Sequence, residues 1–306
     1  MSMVNDKAYV RVPASTANLG PGFDNLGLAL NIWNEVRFQV TGEHLVVENH
    51  GLLSDYIPKP EKNMLVIGAK KVFEACDEPF PEGLRLESQI QIPVRSGMGS
   101  SAATILAGVM GADMLLGNPL ERGEILKIVG EMEGHYDNAS ASLFGGLTLA
   151  LDRPAGTLVR RYDVPPYQLV ICTPKRGSST EEMRALLPQT VSLQDAIFNI
   201  GNTVAVVDML RSGSITMLDV VMQDKLHQPH RLKLIPGSEQ AIEAARDAGA
   251  KAVALSGAGP SLIAFCQPDQ AAQVVGQAMI QAYRQAGESA TFLITTPADT
   301  GAQAFA

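Results

Sequence analysis

The sequence predicts a mixed α/β chain built as two domains, and three observations carry that prediction. Short stretches of alternating apolar residues, as half-buried strands show, are interleaved with longer apolar runs of helical length, as where Leu86-Glu87-Ser88-Gln89-Ile90-Gln91-Ile92 leads on to Ala102–Leu116. The 306 residues suffice for one large domain or two. Pro165-Pro166 interrupts the chain near its middle, which divides it into 1–164 and 165–306.

Bulk numbers narrow the function classes. Charged residues are 18% and apolar ones 46%, a globular balance. The net charge of -8 disfavours any general affinity for nucleic acid or an anionic membrane, so an anionic substrate would need a local cluster of positive charge. Cys76, Cys172 and Cys266 are too widely spaced for a zinc or iron–sulfur site and suit a reducing compartment. With no basic-then-apolar leader pattern and no run long enough to span a bilayer, a soluble, cytoplasmic protein is expected.

In order, Ala8–Pro13 alternates as a strand that proline ends. Ala14–Gly27 is dense in Gly, Pro, Asn and Asp; Asn18 and Asp24 there can serve a structural turn or contact a substrate. Leu28–Trp33, Glu35–Val40 and Leu45–Asn49 read as further strands. Asn63–Ala75 has helical spacing, with Asn63 as cap or as a contact to a base.

Pro93-Val94-Arg95-Ser96-Gly97-Met98-Gly99-Ser100-Ser101-Ala102-Ala103 then reads as strand end, glycine-rich turn and helix start. Backbone N–H groups at a helix start lack partners and carry partial positive charge, and glycine lets a phosphate chain approach. Ser100 and Ser101 are candidate caps, and either hydroxyl could reach a phosphate or magnesium. An ordinary tight turn explains this stretch equally well. It lacks the lysine of one phosphate-loop motif and the third glycine of the dinucleotide motif.

Pro119 opens a helix through Glu133, followed by Gly134-His135-Tyr136-Asp137-Asn138. Magnesium takes hard oxygen ligands and few protein carboxylates. A carboxylate at a helix C-terminus opposes the dipole unless a cation is near, which makes Glu131 a candidate ligand beside its competitor Glu133. Beyond Pro165, Tyr167–Cys172 is a strand, and Thr180 caps a helix carrying Arg184. Helices follow over 193–211 and 215–226, then the positive cluster His227–Pro236 with Arg231. Guanidinium groups pair carboxylates or phosphates bidentately, so Arg184 and Arg231 meet the charge criterion. Lys251–Leu255 and Ser261–Phe265 are strands around Ser256-Gly257-Ala258-Gly259-Pro260, which is a hairpin turn or a wall against the first glycine loop. A helix over 267–287 and a strand at Thr291–Thr295 complete the chain.

Taken together, the Pro13–Asp24 loop, the Pro-x-x-x-Gly-Met-Gly-Ser-Ser-Ala-Ala loop and Ser256–Pro260 resemble the GHMP small-molecule kinases over nearly the whole chain. Within them the match is closest to the homoserine kinases, through Gly134–Asn138, Ser179-Thr180 with Arg184, and His227–Gly237. The resemblance implies a ribosomal protein S5 domain 2-like N-terminal half and a ferredoxin-like C-terminal half. It implies transfer of the ATP γ-phosphoryl group to the side-chain hydroxyl of L-homoserine, in threonine biosynthesis, by a homodimer. It places Pro93–Ala103 around the phosphates, Asn63 near adenine, and Ser101 with Glu131 on Mg2+, Glu131 being preferred because Gly130-Glu131 matches the superfamily's Gly-Glu pair. It places Asn18, Asp24, His135, Asp137, Asn138, Thr180, Arg184 and Arg231 around homoserine. Asp137 and Asn138 would orient the substrate without a strong general base, since phosphoryl transfer can run on positioning and charge stabilisation. Met98 stands where leucine is usual, and Ala139-Ser140-Ala141 where Val-Ala-Pro is. The alternatives are another alcohol kinase of the superfamily, such as mevalonate kinase, or a nucleotide-binding regulator without catalysis.

Overall fold

A computed structural model describes residues 3–52, 58–177, 179–267 and 272–306. Eleven strands and ten α-helices alternate among these residues: β1 (Lys7–Ala17), β2 (Leu26–Thr41), β3 (Val46–Gly51), α1 (Met64–Ala75), β4 (Gly83–Ile90), α2 (Ser100–Leu115), α3 (Arg122–Glu133), α4 (Asp137–Phe144), β5 (Leu147–Leu151), β6 (Leu158–Tyr162), β7 (Gln168–Pro174), α5 (Thr180–Ala185), α6 (Leu193–Ser212), α7 (Leu218–Val221), α8 (Gln228–Arg231), α9 (Ser238–Asp247), β8 (Ala252–Leu255), β9 (Leu262–Cys266), α10 (Ala272–Gln285), β10 (Ala290–Thr295) and β11 (Gln303–Phe305).

Two sheets organise them. The first runs β11-β1-β2-β4-β3, with β5 on the free stretch of β2's edge and β6 beyond it. β2 is one strand where two were expected. β1 also continues past Pro13, and the register shifts between Pro13 and Ala14, opposite residues 30–33 of β2. A proline has no ladder N–H, so it is accommodated at this irregularity instead of ending the strand. The second sheet is antiparallel in order β10-β7-β9-β8, and α9 and α10 provide the crossovers of a ferredoxin-like β-α-β-β-α-β unit. The chain passes from one sheet to the other between Tyr162 and Gln168, across Pro165-Pro166. β11 then returns to pair with β1, so the last residues complete the first sheet and not the second.

The helix after the glycine loop, α2, is buried along most of its length. Ile105, Leu106, Val109 and Leu115 are fully enclosed there, each worth about 1.5–3 kcal/mol of transfer free energy. That burial fixes the position of the helix's N-terminus, and with it the cleft. Other boundaries differ from expectation. α3 begins at Arg122 behind a capping box of Glu121 and Glu124, not at Pro119. Ser179, not Thr180, caps α5, reciprocally with Glu182. Only Leu218–Val221 is α-helical within the expected helix over 215–226. Of the helix expected over 267–287, residues 268–271 lie outside the described ones.

Candidate active site

A cleft of about 410 Å³ lies where the loops of the two sheets meet. Its phosphate-sized end is the start of α2. Gly99 occupies the N-cap position in the left-handed region, and no side chain caps the helix. Ser100 and Ser101 are therefore not caps, contrary to expectation: the Ser100 carbonyl accepts from Thr104 Oγ1 (2.8 Å) and the Ser101 hydroxyl donates to Glu133 Oε1 (2.5 Å). Gly97 and Gly99 are required here. Both have positive φ, and a Cβ at Gly97 would strike the Ser256 carbonyl while one at Gly99 would strike Ser15 Oγ. Met98 and Ala102 turn into the core, and Pro93 does not line the cleft but accepts from Ser96 Oγ through its carbonyl (2.7 Å). The expectation that all of Pro93–Ala103 lines the cleft is corrected for those three. Val94, Arg95, Ser96, Gly97, Gly99, Ser100, Ser101 and Ala103 do line it.

Ser256–Pro260 joins β8 to β9 as a hairpin turn and also walls the first loop. The Ser256 hydroxyl lies 2.8 Å from the Gly97 carbonyl and 2.9 Å from the Thr16 hydroxyl. Gly257 N–H donates to the Ala17 carbonyl (3.1 Å), and Asn18 Nδ2 donates to the Gly257 carbonyl (2.7 Å). Asn18 is thus a structural tie between loops; its Oδ1 accepts from the Asp24 N–H (3.0 Å). Asn63 caps α1 by accepting from the Leu65 N–H (3.1 Å), and it lines the cleft together with Lys62, Met64, Leu65, Ser88 and Ile90.

The two candidate metal carboxylates are separated by the geometry of α3. Glu133 lines the cleft against Ser101; Glu131 does not, and instead sits on the exposed face, 3.6 Å from Lys127. The preference for Glu131 is therefore overturned. A signal was present: Ile125, Leu126 and Val129 mark the buried face of α3, and Glu133 follows Val129 by four residues while Glu131 follows it by two. Burial pushes the Glu133 carboxyl upward, against the lowering effect of the Ser101 hydrogen bond. Among the described residues no Lys or Arg makes an ion pair with it, and no group of three or more His, Cys, Asp or Glu is arranged to hold a metal. One desolvated carboxylate and one hydroxyl fit a magnesium ion that takes its remaining ligands from phosphate and water.

At the other end opposite charges face each other. Arg184 grips Asp24 bidentately (2.8 and 2.9 Å). Arg231 is nearly fully buried; burial draws its guanidinium down to about 10, which leaves it charged at neutral pH. Its Nε donates to the Met183 carbonyl (3.3 Å), and both guanidinium groups lie over the Phe23 ring, at 5.6 Å for Arg184 and 5.1 Å for Arg231. His135 Nδ1 donates to Asp137 Oδ1 (2.7 Å). Burial opposes charge on His135, but the bond to Asp137 and its negative charge outweigh this, and the imidazole is raised overall. Asp137 opens α4, a helix the small-residue run did not reveal. Asn138 Oδ1 accepts from Ser15 Oγ (3.0 Å), which itself accepts from Ser142 Oγ (3.0 Å). Thr180 also lines this end.

Several contributors were not singled out from the sequence. His227 is fully buried; its Nε2 lies 2.7 Å from the Gly20 carbonyl and Nδ1 3.3 Å from Arg231. A carbonyl only accepts, so Nε2 carries the proton and Nδ1 accepts from the guanidinium. Burial holds this imidazole below its usual value, hence neutral. Asp224 fixes the turn beneath it, accepting from the N–H groups of Leu226, His227 and Gln228 (2.9, 2.8 and 2.6 Å).

The comparisons with known proteins point to one family. The GHMP kinases N terminal domain matches residues 63–146, and the GHMP kinases C terminal domain matches residues 207–285. A homoserine kinase of Moorella thermoacetica is 39% identical over 96% of this chain and 98% of its own length. One from a Synechococcus strain is 40% identical over 97% of each. The crystal structure of homoserine kinase from Cytophaga hutchinsonii superposes with a TM-score of 0.87 at 30% identity, covering 100% of this chain and 99% of that one. Mevalonate kinase from L. major, at a TM-score of 0.71 and 17% identity, shares the fold.

Proposed function

The chain belongs to the GHMP kinases and, within them, to the homoserine kinases, and from that premise we propose how its cleft divides the work. The reaction is ATP-dependent phosphorylation of the side-chain hydroxyl of L-homoserine, giving O-phospho-L-homoserine and ADP, a step in threonine biosynthesis. The observation that carries the reading is the juxtaposition, in one cleft, of an uncapped helix start behind two glycines and a cluster of opposite charges. The first suits a polyphosphate and the second a zwitterion.

ATP lies with its phosphates along Ser96–Ser101 and its base in the recess by Asn63. Ser101 and Glu133 would hold Mg2+, which would neutralise phosphate charge. Arg231, with Arg184, receives the homoserine carboxylate; Asp24, released from Arg184, or Asp137 receives the ammonium group. The neutral, proton-fixed His227 orients the Arg231 guanidinium through Nδ1 and ties it to the Gly20 loop. Asp137, held by His135, and Asn138, held by Ser15, position the hydroxyl, and proximity and charge stabilisation carry the transfer without a strong general base. We place the domain boundary at 164/165, with β11 returning to the first unit.

The free state of all three cysteines supports a cytoplasmic setting, and no described helix is long and apolar enough to cross a membrane. The active form is a homodimer.

Substrates stripped of one charge test the charged end. With ATP and Mg2+, 4-hydroxybutyrate lacks the ammonium group and 3-aminopropan-1-ol lacks the carboxylate. Each should fall at least about 100-fold in kcat/KM, the scale of a charged partner left unpaired. Comparable turnover of either compound and homoserine would remove the charge cluster from recognition.

A further inference from the structure

Strands β2 and β4 send every second side chain inward, and that row changes character where it reaches the cleft. In the core Val40 faces Leu84 and Phe38 faces Leu86; nearer the cleft Val36 faces Ser88, and the next inward residue of β2 is Asn34. Asn34 and Ser88 are only 5% and 4% exposed, and both line the cleft with Asn63. A polar side chain on a core-facing row is costly unless something bonds it. Backbone N–H groups only donate, so those of Gln91 and Ile92 (2.8 and 3.0 Å) hold Asn34 Oδ1 and leave Nδ2 turned away from them. The Leu65 N–H holds Asn63 Oδ1 in the same way. Among the described residues neither Nδ2, nor the Ser88 hydroxyl, makes a hydrogen bond. The only fully enclosed side-chain polar atom without a partner among those residues is Tyr283 Oη, in the core of the second sheet, so these three atoms open into the cleft.

We propose that Asn34 and Ser88 are further nucleotide-binding residues, which together with Asn63 read the edge of the base. Resting on the ATP placement proposed above, this role adds the groups that select the base. Two amides held as donors call for acceptors, and a purine offers the lone pairs of its ring nitrogens N1, N3 and N7. A hydroxyl accepts as well as donates, so Ser88 is the group able to take a hydrogen from the exocyclic amino group of adenine. Val36 and Ile90 share the inward row with Asn34 and Ser88 and supply apolar contact to the face of the ring. The Thr104 hydroxyl also stands at the cleft, but it is committed to the Ser100 carbonyl (2.8 Å). A base in the recess gives all three buried groups their partners, and a base lacking one matching atom leaves a group unpaired.

Isothermal titration calorimetry with Mg2+ and no homoserine tests it, with circular dichroism as the check on folding. ATP is compared with 1-deaza-, 3-deaza- and 7-deaza-ATP, each with one ring nitrogen replaced by C–H, and with purine riboside triphosphate, which lacks the amino group. The unaltered chain should bind purine riboside triphosphate and at least one deaza analogue about tenfold more weakly than ATP. Asn34→Asp keeps the oxygen that the Gln91 and Ile92 N–H groups need and removes the donor. In that variant the loss for one such deaza analogue should shrink to within about twofold of ATP. Ser88→Ala should shrink the loss for purine riboside triphosphate likewise, and it carries the test should Asn34→Asp lose its fold. A part played only in folding would weaken all these nucleotides alike. Equal binding of ATP and every analogue by the unaltered chain, every deaza loss persisting in folded Asn34→Asp, or the purine riboside loss persisting in Ser88→Ala would each overturn the proposal and leave the ATP placement standing. An unaltered chain that binds no nucleotide would overturn the placement itself, and this role with it.

Discussion

Replacing Glu133 by Gln, with Glu131→Gln alongside, probes both the metal site and the energetics of an unpaired carboxylate. Glu133 is the carboxylate that meets the Ser101 hydroxyl in the cleft, and burial raises it. Losing it should cost roughly 3 kcal/mol of transition-state stabilisation, about 100-fold in kcat/KM, with a higher Mg2+ requirement. Glu131 makes only an exposed pair with Lys127 at 3.6 Å, worth about 0.3–0.5 kcal/mol, so Glu131→Gln should stay within about twofold. Stability should move the opposite way. A carboxyl whose folded pKa lies above its unfolded value contributes stability that is full below the unfolded value of 4.5 and is lost as pH rises through the folded value. At pH 7 without ligand, Glu133→Gln should therefore melt higher than the unaltered protein, and the gap should close as pH falls toward 4.5. Coupled ADP release across a magnesium titration gives the first quantity and thermal unfolding the second. Full activity in Glu133→Gln with a 100-fold loss in Glu131→Gln would refute the assignment.

Other outcomes follow from the same contacts. Arg231→Lys loses the planar fork, and KM for homoserine should rise about 10–100-fold while KM for ATP holds. His227→Gln should raise the homoserine KM by less than Arg231→Lys does, and equal KM values for His227→Gln and the unaltered enzyme would remove His227 from positioning. The raised His135 contributes stability that is full below about pH 6.5 and is lost as pH rises through the folded value, so the destabilisation by His135→Gln should be largest at acidic pH. Asp137→Asn should keep the same pH profile of kcat as the unaltered enzyme at a lower rate; an acidic limb that vanishes in Asp137→Asn would show Asp137 acting as a base. Gly97→Ala meets both a positive φ and the Ser256 carbonyl and should cost about 2–4 kcal/mol in urea unfolding.

What was legible in the sequence was what local chemistry dictates. Asn63 before an apolar helical run is a cap by spacing alone. The two glycine loops and the scattered Asp24, His135, Asp137, Thr180, Arg184 and Arg231 converge on one cleft, as the resemblance implied. What was not legible depended on which face an element presents. Glu131 and Glu133 stand two positions apart, which on a helix is nearly opposite directions; the buried face marked by Ile125, Leu126 and Val129 favours Glu133, but the Gly-Glu pair of the resemblance drew the assignment to Glu131. His227–Pro236 reads as a positive cluster, but the sequence does not show that His227 and Arg231 are buried and linked to each other. Asp24 and Arg184 look like separate contacts for two substrate charges, yet they pair with each other at 2.8 Å. Pro13 looks like a strand end because its tolerance in β1 rests on a register shift against β2 far along the chain.

The most direct measurement is coupled ADP release with ATP and Mg2+, comparing L-homoserine, L-serine, L-threonine and mevalonate, with the phosphorylated product identified by phosphorus NMR. The account predicts turnover strongly selective for L-homoserine and a phosphomonoester on its side-chain oxygen. Turnover of mevalonate alone, or bound ATP with no alcohol phosphorylated, would contradict it.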